Sequence, residues 1–540
     1  MMSERTYIVG DISLPPSCGE ALAFSSAGKK LNRAGIPTGQ ARFFIYRRSV
    51  DARKKNDVRF VYSVGVTGDL PPLSEEDLKK HGITEQKCGI PEVSPGNVPL
   101  PHRPVIVGAG PAGLFAALLL AENGYSPLVL ERGGTVAERA AATELFTKRR
   151  ILSTENNIQF GAGGAGTFSD GKLVTRVNDP LCGYVLRTFC RFGAPPEILT
   201  LAKPHIGTDY LQNVITRMIA EITRLGGEIR FHSRVSGIKR SADGKTVTAL
   251  ITPDGEIPCG AVILAIGNSA RDTYETVIAD GYAVEAKPFS VGVRIEHLQS
   301  DIDRAMFGKY AEGHGLPHAE YNLSCHTDTR GVYTFCMCPG GEVVAAASEE
   351  DTVVVNGMSR HARDGRNANS AVAVSVFTED YGNDPLRAIA MQREIERRAF
   401  LAGGGDYSVP VCTVGDFLSD RSGTHPSRIL PTYMGGGAYR PASPACYLPR
   451  FAVDGLRSAL PLFDRRIHGF AVADAVLSGA ETRTSAPLRI LRGEMRTAIG
   501  VYNLYPCGEG AGYAGGITSA ALDGIHTAEA LIRRYRPLGE

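Results

Sequence analysis

Short, continuously apolar runs alternate in this chain with longer amphipathic stretches and glycine-rich breaks. PVIVG at 104–108, SPLVLE at 126–131 and CGAVILAIG at 259–267 have little polar face, which predicts strands buried on both sides. Between the first two, LFAALLLAENG at 114–124 predicts a helix that stops at Gly124. The stretch from Thr208, placed as N-cap, carries Leu211, Val214, Ile215, Met218, Ile219 and Ile222 at helical spacing. EIRFHSRVSGIKRS and KTVTALITP read as a meander of strands, and NLYPCGEG followed by ITSAALDGIHTAEALI as strand, turn and helix. Ahead of these, TYIVGDISL, CGEALAFSSAGKKLN, ARFFIYRRSV and VRFVYSVGV predict strand, helix, strand, strand, before the proline-dotted PEVSPGNVPLPHRP. The pattern is that of an α/β protein with a small α+β unit at its start.

The turn after PVIVG is a G-x-G-x-x-G, and its context is that of a dinucleotide-binding βαβ unit. Gly108 permits the tight turn, Gly110 lets the backbone approach a pyrophosphate, and Gly113 lets helix and strand pack closely. Pro111 and Ala112 open the helix whose N-terminus faces the phosphates. Glu131, eighteen residues after Gly113 and followed by Arg132, ends the next strand where a carboxylate accepts ribose hydroxyls. FGAGGAGTFSDGK at 160–172 repeats the glycine spacing but fails the context. NNIQ before it is polar, and TFSDGK after it holds turn formers where a helix should start. It is expected to be a cofactor-facing loop, with Gly163, Gly164, Ser169, Asp170 and Lys172 beside a flat ring.

Composition narrows the partners. The 540 residues, 43% hydrophobic and 21% charged, suffice for about two or three domains. Lys plus Arg number 59 against 57 for Asp plus Glu, so no overall field recruits nucleic acid or an anionic membrane. The cluster Arg47, Arg48, Arg53, Lys54 and Lys55 lacks aromatic interleaving and reads as a solvated hairpin end. The start has no signal-like leader, and the longest apolar run is broken by glycine. Eleven cysteines without a C-x-x-C read as reduced thiols, and Cys325, Cys336 and Cys338 lack a fourth ligand at metal spacing. A cytoplasmic protein with a small-molecule substrate, no metal, no nucleic acid and no membrane is expected; nothing in the sequence sets its oligomeric state.

Two later segments carry a resemblance. CGAVILAIGNSARD, with Gly267 at the strand end and Asp272 beyond, looks like the strand that returns to the dinucleotide domain in flavoproteins of the glutathione-reductase-like superfamily. NLYPCGEGAGYAGGITSAALDG resembles that superfamily's C-terminal flavin motif, with Glu509 after Gly508 in place of the usual aspartate. Together with GTFSDGKL, KPHIGTD, YTFCMCPGG and ETRTSAPLRI, these segments resemble a family described as uncharacterised FAD-dependent dehydrogenases. The resemblance implies FAD, expected to be non-covalent; NAD(P)H is a candidate transient reductant that the resemblance does not itself imply. The resemblance implies a Rossmann-type FAD-binding domain at 99–285 and 496–540, an inserted α+β cap domain at 286–495, and a ferredoxin-like N-terminal domain with its linker at 1–98. It also implies Val235, Gly267, Gly508, Glu509, Gly515, Gly516 and Ile517 as cofactor residues, the helix after Ile517 aiming its amides at the flavin.

The flavin would carry the hydride chemistry, so catalytic side chains are sought near the cap. Cys336 and Cys338 flank Met337, which puts both sulfurs on one side of a strand, either as a redox pair or as two ordinary buried thiols. Arg483 and Arg489 bracket a polar turn and offer a fork for a substrate carboxylate or the flavin. His205, two residues after Lys203, is a candidate proton donor or a structural loop histidine. Lys287, Arg294, Glu296, Asn356 and Arg363 are cap residues that fit a site or an ordinary sheet surface. The expected function is an FAD-dependent oxidoreductase passing hydride through flavin N5 to or from a small anionic substrate. The alternatives are a flavin-bearing binding or redox-sensing protein whose N-terminal domain contacts a partner, and an NAD(P)H-dependent flavin reductase.

Overall fold

The computed structural model describes residues 5–86 and 89–539. At its centre five short parallel strands run in the order Leu504–Pro506, Val262–Leu264, Val105–Val107, Leu128–Leu130 and Glu228–Arg230. The inner strands are wholly apolar because both faces are covered. Ile106, Val129 and Ile263 pack under helices Pro111–Glu122, Thr208–Arg224 and Ile517–Arg534. Val105, Val107, Leu128 and Val262 face the antiparallel meander Gly237–Arg240, Val247–Thr252 and Gly255–Pro258. Helix Pro111–Glu122 has no polar face since it is buried from Ala112 to Ala121. It crosses Ile517–Arg534 so closely that a Cβ on Gly524 would lie 2.1 Å from the Ala112 carbonyl oxygen.

A second sheet of seven strands holds the larger core. Its order is Ser324–His326, Gly331–Cys338, Asn367–Val376, Phe289–Leu298, Val476–Glu481, Val409–Thr413 and Tyr439–Pro441, antiparallel except for the last pair. Helix Arg450–Arg466 covers one face. The chain passes between the two sheets through the antiparallel pair Val284–Ala286 and Leu488–Ile490.

The first residues form a four-stranded antiparallel sheet, ordered Arg42–Asp51, Arg59–Gly68, Arg5–Leu14 and Ile83–Glu85, with helix Glu20–Arg33 packed against it. Helix Glu75–His81 and strand Ile83–Glu85 are too short to show in the hydrophobic pattern. The edge strand is not a solvated hairpin throughout. The Arg48 amide donates to the Thr200 carbonyl at 2.7 Å and the Ala202 amide to the Arg48 carbonyl at 2.9 Å, just before Lys203 and His205. Among the described residues, no helix is long and apolar enough to cross a membrane.

Candidate cofactor and substrate site

The C-terminal ends of the parallel strands and one edge of the seven-stranded sheet enclose a cavity of about 1130 Å³, somewhat above the roughly 300–1,000 Å³ of a single small-molecule site. The dinucleotide turn forms one end. Gly108 has a φ of 103°, and a Cβ there would meet the Ala265 carbonyl oxygen at 2.4 Å. A Cβ on Gly113 would lie 1.9 Å from the Gly108 carbonyl oxygen, so glycine is required for the helix to pack on its strand. Gly110 is the N-cap of helix Pro111–Glu122 and has no side chain to satisfy the first amides, which leaves them to a phosphate.

Glu131 does more than end a strand. Its carboxylate accepts from the amides of Ala109 at 2.8 Å and of Gly133 and Gly161 at 2.9 Å, tying three loops together. A carboxylate has about four acceptor positions, so one remains for a ribose hydroxyl. Arg132 forks onto Glu155 and Asp272 and stacks over Phe160 at 4.1 Å, beside Ser233, Arg234 and Val235 on the cavity wall.

The second glycine loop has the build of a loop, not of a second nucleotide turn. A 3-10 turn, Ala165–Phe168, stands where a Rossmann helix would start. Arg139, fully buried and unmarked by any sequence pattern, donates to the carbonyls of Asn157, Ile158, Ala162 and Gly164 and so holds the loop's shape. Gly163 donates to the Ala109 carbonyl at 2.8 Å, and a Cβ on Gly164, at φ 63°, would lie 3.0 Å from Gly110 Cα. The loop therefore rests on the dinucleotide turn. Ser169 turns inward, its hydroxyl donating to the Gly166 carbonyl at 2.7 Å.

Asp170, expected to contact the cofactor, instead gives both oxygens to its own surroundings: Arg363, Lys172 and the Ser359 hydroxyl. Burial raises its pKa, but Lys172 and Arg363 outweigh this and hold the carboxyl well below the usual range. Lys172 also donates to the Met337 carbonyl, linking the loop to the seven-stranded sheet. Thr208 is the first residue of its helix and not the cap, which is Gly207; its hydroxyl donates to the Thr167 carbonyl at 2.8 Å. His205 is buried, stacked on His361 and bonded through Nε2 to the His361 carbonyl at 3.1 Å, and it does not line the cavity. Burial lowers its pKa, so near neutrality it is an uncharged structural ring and a poor candidate for the proton donor.

At the other end, helix Ile517–Arg534 starts from Gly516 without a side-chain cap, and a Cβ at Gly515 or Gly516 would meet nothing within 4 Å. Free amides and open space coincide there. Gly508 donates to Asp523 at 2.7 Å, and Asp523 is held by Arg492 and Arg496. Glu509 faces the cavity next to Gly267, accepting from Asn268 Nδ2 at 2.9 Å. Burial pushes its carboxyl up to about 7, with Lys287 and Asn268 pulling the other way.

Neither arginine offers a free fork. Arg483 lies at the cavity edge, but its fork grips buried Glu396 at 2.9 and 3.0 Å. Arg489 points away to Glu285 at 2.9 Å. Arg294 pairs with Glu481 at 3.0 Å inside the sheet, and Glu296 accepts from Asn367 and Thr432. Of the cations lining the cavity, Lys287 and the exposed Arg176 have no hydrogen-bond or ion-pair partner among the described residues, and Lys287 is the half-buried one of the two. Its burial lowers its pKa, while Glu509 acts to raise it. Cys336 also lines the cavity, with Cys338 behind it.

Known proteins match this arrangement in two pieces. A model of the FAD binding domain matches residues 103–259, and a model of the C-terminal domain of FAD-dependent proteins matches 288–484. Over 178 residues the chain is 33% identical to aklavinone 12-hydroxylase RdmE of Streptomyces purpurascens, covering 30% of this chain and 32% of that one. A geranylgeranyl bacteriochlorophyll reductase-like structure from Thermoplasma acidophilum overlaps 79% of this chain and 77% of its own at 10% identity, with a TM-score of 0.33. The protein is an FAD-dependent oxidoreductase built on a Rossmann-type FAD-binding fold. It belongs to the same family as an uncharacterised protein of Clostridium beijerinckii, to which it is 46% identical over 515 residues, 94% of this chain and 95% of that one.

Proposed function

We propose that the enzyme transfers hydride between N5 of its FAD and a small anionic substrate held against Lys287. The observation that carries this reading is the unpartnered Lys287 ammonium on the wall of a cavity larger than a single small-molecule site. The turn at 108–113, with Glu131, Arg132 and Val235, suits the adenosine and pyrophosphate; Gly163, Gly164, Glu509 and the free amides after Gly515 and Gly516 suit the ribityl chain and ring. FAD supplies the two-electron chemistry. The chain would supply position and charge: the amides opening helix Ile517–Arg534 would stabilise negative charge on a ring bound beside them, and Lys287 would fix the substrate anion. Glu509, with its carboxyl near 7, is suited to hold or release a proton at the same place. The strand orders also support a glutathione-reductase-like flavoprotein with an inserted cap and a ferredoxin-like N-terminal unit.

The test is anaerobic rapid mixing of holoenzyme with NADH, NADPH and a series of keto, enoyl and hydroxy acids, following flavin absorbance. Lys287→Met is expected to keep FAD and to slow the substrate half-reaction by about tenfold to a hundredfold, as for loss of one charge-stabilising donor. Unchanged kinetics with the variant, or no acid that exchanges electrons with the flavin, overturns the reading. A hydroxylase reading, favoured by the local identity to RdmE, requires oxygen consumption coupled to an oxygenated product.

A further inference from the structure

We propose that Cys336 and Cys338 form a reversible dithiol–disulfide pair that exchanges two electrons with the bound flavin. The strand Gly331–Cys338 ends in a bulge: Phe335 opposes Ala371 and Cys338 opposes Asn369, so the cysteine strand holds one residue more than its partner. Cys336 takes up the extra residue at a left-handed φ of 47°, rare for a side chain other than glycine. On a regular strand residues i and i+2 have Cα atoms about 6.6–6.8 Å apart, at the upper limit for a disulfide. The kink bends the backbone between the two cysteines, and Cys338 Sγ lies 3.3 Å from the Cys336 carbonyl oxygen.

The surroundings favour reactivity at one sulfur. Cys336 lines the same cavity as Gly164, Gly166 and Ile517, and Glu509 senses its charge. Interaction with the adjacent Cys338 thiol pulls the Cys336 thiol down to about 6 against the effect of burial, helped by Lys172 and Arg294. Both cations are anchored to this kink, Lys172 on the Met337 carbonyl and Arg294 on that of Cys336 at 3.4 Å. Cys338 is pushed up and stays protonated. The thiolate is the reacting form of a cysteine. Oxidation of the Cys336 thiolate and the Cys338 thiol breaks one S–H bond, forms one S–S bond and releases two electrons and one proton. The flavin accepts the two electrons with that proton, and reduction of the disulfide reverses each change. The pair is independent of the hydride substrate, since it needs FAD alone.

Anaerobic dithionite titration of the oxidised holoenzyme decides the matter without any substrate. Full reduction is expected to take four electrons per FAD in the wild type, two for the flavin and two for the disulfide, and two in Cys338→Ser. Alkylation under denaturing conditions gives a second readout. The peptide holding both cysteines should resist alkylation in oxidised holoenzyme and take up two alkyl groups after reduction. Two electrons per FAD in the wild type, with both cysteines alkylated before reduction, overturns the proposal. Should Cys338→Ser fail to fold, the wild-type titration and alkylation still decide.

Discussion

At the scale of single residues, what could be read from sequence depended on how local the chemistry is. The turn glycines and Glu131 lie within one βαβ unit, so spacing alone places them. Arg483 is different because its partner Glu396 is 87 positions away, and Arg489 reaches Glu285 across 204. No pattern along the chain shows that a polar arginine already has a buried partner. Arg139 and Asp523 escaped for the same reason: their roles are backbone bonds to loops that only the fold brings near. The Arg483 geometry sets an expectation opposite to that for a substrate anchor. Glu396 is fully buried between Arg271 and Arg483, so Arg483→Ala should destabilise the whole enzyme by about 3 kcal/mol, the low end for removing one partner of a buried pair since Arg271 remains. Denaturant unfolding of the apoprotein measures this. Full stability combined with a selective loss of turnover would return Arg483 to the substrate.

At the scale of elements, long apolar helices and continuously apolar buried strands were legible even where the strand is three residues long, whereas the half-exposed strand Ile83–Glu85 and the 3-10 turns were not, since too few side chains there carry a pattern. The glycine loop at 160–172 is an intermediate case. Its failure to be a Rossmann turn was visible in its polar flanks, but its reason for being glycine-rich lies in the packing. Gly161 leaves room for Arg139, and Gly164 for the dinucleotide turn. Gly164→Val would place a β-branched side chain at φ 63° with its Cβ 3.0 Å from Gly110 Cα. FAD occupancy should fall and the flavin spectrum shift, with no separate NAD(P) site gained or lost. Equilibrium binding that finds tight stoichiometric NAD(P) beside FAD in the wild type, lost in this variant, would make the loop a second nucleotide site after all.

At the scale of the whole molecule, two sheets close on one cavity, and the cost is buried carboxyls that sequence could not price because every partner is remote. Glu296 accepts from Asn367 and Thr432, 71 and 136 positions away, and burial pushes it up to about 7 from the ordinary 4.5 in spite of these bonds. Between those two values the folded chain binds a proton at Glu296 that the unfolded chain does not. The group's contribution to stability is thus fully present below about 4.5 and is lost as pH rises through about 7. Asp170, Glu396 and Asp523, all lowered by cations against the effect of burial, behave in the opposite sense, but their contributions are complete above about 4.5 and stay flat across this window. Histidines do titrate here: His297 and His205 are lowered by burial, while His318 and His526 are raised by bonds to neighbouring carboxylates. The informative quantity is therefore the difference between wild type and Glu296→Gln, in which the histidine effects cancel. The amide of the variant keeps an oxygen for Thr432 and Asn367 and removes the titration. The melting temperature of the FAD-free wild type should fall relative to the variant as pH is raised from about 5 to about 8. A difference that stays constant across that range would mean that Glu296 is already ionised in the folded chain.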